Sequence, residues 1–235
     1  MNKNVRKSLV DIWNAFMVEG ATFGYLDIPF CPTTATELPR EIISWPEAKS
    51  LYRKNKHNPN FKYDAFVCFY IDDYLFDSTC GIWFRPHKAL SILKHFAGAI
   101  TPDFSTYQDF PIAIQIYATY RMRAYGYWLG KNGIPVINNV RGGLPKTYDF
   151  CFEGIPTNSI VAIGTVGGSP RKLVDRERFE PWLLEMVERL KPHTIVVYGS
   201  ANYPCFEKLR EMNINVISFK SHTARAYEKG GKTHE

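Results

Sequence analysis

The chain has 235 residues, 45% hydrophobic and 15% aromatic, which is enough apolar material for a packed core and excludes disorder as the main state. Only 22% are charged, and no stretch approaches the roughly 18 consecutive apolar residues of a membrane helix, so a spanning segment is excluded as well. Twenty-nine Lys and Arg against 23 Asp and Glu leave a net charge of +6, which favours anionic partners such as phosphates or nucleic acid and serves equally well as a solubility device.

The N-terminus carries Lys3, Arg6 and Lys7, but Asp11 falls where a signal peptide needs its apolar stretch, so a cytoplasmic location is expected. Five cysteines (Cys31, Cys68, Cys80, Cys151, Cys205) are widely spaced and odd in number, without a C-x-x-C pair. That pattern signals neither a disulfide framework nor a closed zinc or iron–sulfur site, and reduced, mostly buried thiols are expected.

Residues 5–18 repeat apolar side chains at three- and four-residue spacing, predicting an amphipathic helix ended by Gly20. A strand is possible at 21–28. Residues 30–62 are broken by Pro32, Pro39 and Pro46 and read as an irregular cover, with a short helix near 45–51 and a basic loop at 53–57. From residue 63 the pattern becomes regular. Strands are predicted at 65–71, 99–103, 134–140, 160–166, 194–198 and 215–219, and helices near 87–96, 111–131, 176–190 and 204–212, with a short irregular or helical piece at 148–155. A three-part division follows: an N-terminal helix and cover at 1–62, an α/β domain at 63–225 and a basic tail at 226–235.

The strands are continuous apolar runs, such as Ile160-Val161-Ala162-Ile163, rather than in-and-out alternations, as expected of parallel strands covered on both faces. The fold class is therefore α/β with a mostly parallel sheet. A TIM-barrel-like arrangement, complete or incomplete, is preferred to an open doubly wound sheet, because polar residues follow one strand end after another rather than gathering at one crevice.

Both architectures place function at the carboxyl ends of the strands. Asp72, Asp73 and Asp103 stand at two such ends, where they would hold a divalent cation or divide into a general base and a charge stabiliser, with Asp72 and Asp103 the expected acid/base groups; the competing reading is that Asp73 or Asp103 caps the next element. His222 follows the last strand and is the best-placed histidine for catalysis. Gly167, Gly168, Ser169 and Arg171, after the fourth strand of the regular pattern, form a candidate phosphate cradle, and Arg141 before two glycines a candidate oxyanion clamp. The long helix interleaves Arg121 and Arg123 with tyrosines, a pattern that fits either a single-strand platform or a core helix. Walker A, G-x-S-x-G and H-E-x-x-H patterns are all missing.

Thr101-Pro102-Asp103-Phe104-Ser105 with Asp109, Tyr117, Arg121 and Arg123, then Gly133-Ile134-Pro135-Val136-Ile137, Phe150-Cys151-Phe152-Glu153-Gly154, Val161 to Gly167 and Tyr198-Gly199 together resemble an uncharacterised protein family of bacteria, their phages and mobile elements. The resemblance spans roughly residues 65–220 and implies a mobile-element setting without naming an activity. A fainter similarity, through Asp72 or Asp73, Asp103, Ile163 to Gly167 and Val197-Tyr198-Gly199, is to the tRNA-guanine transglycosylase-like barrels. Their clustered zinc cysteines and Asp-Ser-Gly-Gly-Phe stretch are missing, so it implies barrel topology and no catalytic assignment.

The resulting expectation is a phage or mobile-element protein acting on a nucleotide or nucleic acid, by hydrolysis or transfer at a phosphate or glycosidic bond, with a divalent cation as possible cofactor. The alternative is a non-catalytic nucleic-acid-binding accessory factor or an inhibitor of a host defence system.

Overall fold

Strands that are apolar throughout need cover on both faces, and a computed structural model shows how this chain provides it; the structure describes residues 11, 13–166 and 173–231. Seven strands form one sheet: β1 (Ile42–Ser44), β2 (Tyr63–Cys68), β3 (Phe96–Ile100), β4 (Val136–Asn139), β5 (Ile160–Gly164), β6 (Thr194–Tyr198) and β7 (Asn215–Phe219). Every neighbouring pair is parallel, and the spatial order equals the chain order. Helices fill the connections: α1 (Trp45–Asn55), α2 (Pro86–Leu93), α3 (Ile112–Lys131), α4 (Tyr148–Cys151), α5 (Leu173–Leu190) and α6 (Pro204–Glu211), with α7 (His222–Gly231) after β7.

Parallel crossovers are right-handed, so a strand order that never reverses keeps the connecting helices on one side of the sheet. The sheet accordingly curls into a half-barrel with helices outside. Along each strand alternate residues divide between the two faces. Val67, Ala99, Val136, Val161, Ile163, Ile195 and Val197 face outward into clusters with helix residues such as Leu93, Met122, Leu183 and Met186. Phe66, Cys68, Ile100, Ile137, Ala162 and Val196 face inward and form a separate core with Tyr70 and Tyr198. The Tyr70 and Tyr198 rings stack at 5.6 Å and 18°. Strands β2 and β6 would lie about 19 Å apart in a flat sheet, so this contact requires the curl.

Local signals account for several boundaries. Ser44 and Glu47 form a reciprocal capping box at the start of α1, with Pro46 in its first turn, and Pro86 and Pro204 open α2 and α6. The open edges are joined by side chains: Arg225 of α7 reaches Glu41 at 3.1 Å, next to β1, and Glu47 of α1 at 2.9 Å.

Two expectations are corrected. Residues 21–28 form no strand, only an isolated antiparallel bridge between Phe23 and Pro29. The seventh strand is β1, inside the stretch read as irregular cover; with only three residues it is too short for periodicity to reveal. Of the helix expected at 5–18, the described part holds a 3-10 turn at Ala15–Val18, and residues 1–10 and 12 lie outside the described residues. The chain at 31–35 has a role the sequence did not suggest. Cys31 packs in the outer core, the Thr33 hydroxyl donates to the Ile160 carbonyl oxygen at the start of β5, and Ala35 lies in the inner core. This segment thus passes from the outside of the half-barrel to its inside. Cys31, Cys68, Cys151 and Cys205 are buried thiols, and Cys80 is exposed. Among the described residues no helix is long and apolar enough to cross a membrane.

Candidate functional site

Where the strands end, the apolar sequence gives way to polar side chains, and these line a cleft of about 480 Å³. After β2 the chain turns through Asp72 into a 3-10 turn at Asp73–Leu75; Asp72 is exposed and its carboxylate makes no capping bond. Asp73 is partly buried and accepts a 2.8 Å hydrogen bond from the Ser105 hydroxyl. Burial pushes its carboxyl above the usual carboxylate range, the Ser105 hydrogen bond opposes that rise, and the nearby Asp103 charge adds to it.

Asp103 is held from two sides. Asn139 at the end of β4 donates from Nδ2 to Asp103 Oδ1 at 2.8 Å, and Arg141 Nη1 lies 3.4 Å from Oδ2. The Asn139 amide is itself oriented, because the Tyr70 hydroxyl donates to its Oδ1 at 2.9 Å. Burial keeps that hydroxyl protonated by moving its pKa well above the ordinary value, with the Asp103 charge as a second cause. A hydrogen-bonded chain therefore runs from the barrel interior through Tyr70, Asn139 and Asp103 to Arg141 at the cleft.

A further part of the lining belongs to α5, where Arg178 and Trp182, four residues apart on one helix face, line the cleft together with Phe179 and Asp175. Arg178 Nη1 donates to Gln108 Oε1 at 3.1 Å, and Lys146 Nζ to the Gln108 carbonyl oxygen at 3.2 Å, fixing the loop that carries Tyr107 along the rim. Gly142 is needed here because a Cβ would collide with the Trp182 indole.

Of the residues expected from sequence, Asp72, Asp73, Asp103 and Arg141 open on this one cleft. The others separate. His222 is exposed at the start of α7, its backbone N–H donates to the Tyr198 hydroxyl oxygen at 2.9 Å, and its side chain does not line the cleft. Arg123 is fully buried and donates to the carbonyl oxygens of Glu153, Asn139 and Cys151 at 2.9–3.0 Å, so it has no face to offer a nucleic acid. Burial lowers its pKa to about 10, still far above neutrality. Arg121 donates to both carboxylate oxygens of Asp77 at 2.9 and 2.8 Å and lies 4.0 Å from the Phe104 ring centre, which makes it an internal strut. The three-aspartate cation site is not formed: Asp103 turns its oxygens to Asn139 and Arg141, and no three His, Cys, Asp or Glu side chains among the described residues are grouped to hold a metal ion. Gly167, Gly168, Ser169 and Arg171 lie outside the described residues.

Sequence reasoning missed Arg178, Trp182 and Tyr70. The i, i+4 spacing of Arg178 and Trp182 was a visible signal, but one that an ordinary packed helix also gives. Tyr70 fell inside the apolar run read as the strand at 65–71.

A family model described as a domain of unknown function (DUF4417) matches residues 22–220. The chain is 38% identical over 135 residues to the Gene 1 protein of Mycobacterium phage L5, covering 57% of each chain. It is 36% identical over 135 residues to the Gene 1 protein of Mycobacterium phage D29, covering 57% of this chain and 48% of that one. The match thus spans about half the length of these phage relatives. No solved structure matches.

Proposed function

The chain belongs to the DUF4417 family, and from that premise we propose that its cleft takes a nucleotide unit and promotes hydrolysis or transfer at its phosphate or glycosidic bond. The single observation that carries this reading is the meeting of carboxyl and guanidinium groups in one cavity at the carboxyl ends of the strands. Arg141 and Arg178 supply the planar donors that suit a phosphate, and Trp182 with Phe179 supplies an apolar wall for a base or sugar. Asp73 is the acid/base group: burial keeps its proton to a higher pH than an exposed carboxyl would, which suits protonation of a leaving oxygen. Asp72, on the same cleft, is the second carboxyl and takes the water-activating part that paired carboxylates have in glycoside hydrolysis. Asp103 is a positioning residue that holds Arg141.

Calorimetric titration of the protein with the four deoxynucleoside monophosphates, followed by chromatography for released base or phosphate, tests the proposal. Binding is expected to fall at least tenfold in Arg141→Ala and Arg178→Ala, and turnover to disappear in Asp73→Asn with binding kept. Absence of binding, or turnover unchanged in Asp73→Asn, overturns it.

A further inference from the structure

The cleft does not stand alone. A second cavity, of about 660 Å³, lies farther along the same rim at the ends of β5, β6 and β7, and Val166 lines both. Its lining among the described residues differs in kind from the first, with no carboxylate and several hydroxyls.

The rim here is built closely. Gly199 has a φ of +119°, and a Cβ at this position would strike the Thr165 hydroxyl, so glycine lets the loop after β6 close on β5. The Thr165 hydroxyl donates to the Ser200 carbonyl oxygen at 2.9 Å, and the Gly199 N–H to the Phe219 carbonyl oxygen at 2.8 Å. Two serine hydroxyls are held in complementary fashion. Ser200 Oγ accepts from the Asn202 N–H at 3.2 Å, and Ser221 Oγ from the Ala224 N–H at 3.3 Å. Each oxygen thus receives a backbone donor, which leaves the hydroxyl hydrogen available to donate to an acceptor in the cavity. Lys220, paired with Glu228, brings a cation to the same wall. Tyr227, 78% exposed, and Tyr203 both line the cavity.

Hydroxyl donors, an ammonium and accessible aromatic rings next to the proposed nucleotide cleft are the groups that hold a neighbouring nucleotide: donors for its phosphate and rings for its base. We propose that the ligand is an extended single-stranded oligonucleotide, with one nucleotide in the cleft and the adjoining one in the Ser200–Ser221–Tyr227 cavity. The inference deepens the proposed function and rests on it. It assigns specificity for a strand over a free nucleotide to this second cavity, which supplies no reacting group.

Fluorescence anisotropy with a labelled mixed-sequence hexadeoxynucleotide, alongside calorimetry with deoxynucleoside monophosphates, tests it on the full chain. The hexamer is expected to bind at least tenfold more tightly than any monophosphate, with an affinity that falls as salt rises. Tyr227→Ala and the double variant Ser200→Ala/Ser221→Ala are expected to reduce hexamer affinity severalfold and leave monophosphate binding unchanged. Equal affinity for hexamer and monophosphate, or hexamer binding indifferent to these variants, overturns the inference while the cleft reading stands. Salt-independent binding of a neutral oligosaccharide hexamer with the same sensitivity to Tyr227→Ala also overturns it. If neither monophosphate nor hexamer binds, the cleft reading fails and the inference with it.

Discussion

Asn139 donates from Nδ2 to Asp103 Oδ1 at 2.8 Å because the Tyr70 hydroxyl, 2.9 Å away, fixes which end of the amide faces the carboxylate. The relation is directional. An unionised phenol donates, the amide oxygen accepts, and the amide nitrogen is left for the anion that in turn holds Arg141.

Breaking this chain in the middle strands a group on each side. Asn139→Leu is expected to destabilise the protein by about 2 to 6 kcal/mol, since a buried hydroxyl and a largely buried carboxylate both lose a partner, each worth roughly 1–3 kcal/mol. Tyr70→Phe orphans only the amide oxygen, for about 1–2 kcal/mol. Urea denaturation of both variants checks the order, and an Asn139→Leu protein as stable as the parent would contradict it.

The Asp73 carboxyl has a pKa raised by burial in the folded state, so between the unfolded value, about 4, and the folded value the native protein holds more protons than the unfolded chain. Stability contributed by this group is therefore complete below the unfolded pKa and declines as pH rises through that window. Asp73→Asn removes the decline while keeping an acceptor for Ser105. Denaturation midpoints from pH 4 to 7 should show the variant gaining on the parent as pH rises; a constant difference would contradict the assignment.

Gly164 on β5 faces the Tyr70 ring so closely that an added Cβ would sit 2.5 Å from its Cδ1. Gly164→Ala is expected to cost about 1–3 kcal/mol through overpacking. Combining it with Tyr70→Val, which removes the ring, should return much of the alanine penalty. A double-mutant cycle gives the coupling, and additive effects would show that the two residues do not touch.

Arg123 is bound to three carbonyl oxygens that have no other reason to converge: Glu153 and Cys151 from the α4 region and Asn139 from β4. Arg123→Met leaves those carbonyls without their donor and is expected to destabilise by about 3 kcal/mol or more. The folded fraction should bind nucleotide as well as the parent does. Weaker binding by fully folded Arg123→Met would place this residue at the ligand after all.

The fold class was legible because it depends on local chemistry. Runs such as Ile160–Gly164 and Thr194–Tyr198 are too uniformly apolar to leave a face in water, and helical stretches between them force parallel crossovers. The polar residues that follow each run were legible for the same reason, and Asp72, Asp73, Asp103 and Arg141 come together in one cleft. Only the tertiary structure decided which of the other charges accompany them. Arg121 and Arg123 differ by two positions on α3 and carry the same charge, yet one is caged by Asp77 and Phe104 and the other lies under three carbonyls, while Arg178, with no motif around it, reaches the cleft. The physical reason is the curl of the sheet. Periodicity tells which face of a strand or helix is apolar, but contacts such as Tyr70 with Tyr198, four strands apart, depend on the accumulated twist of all the strands between them, which no local stretch of sequence encodes.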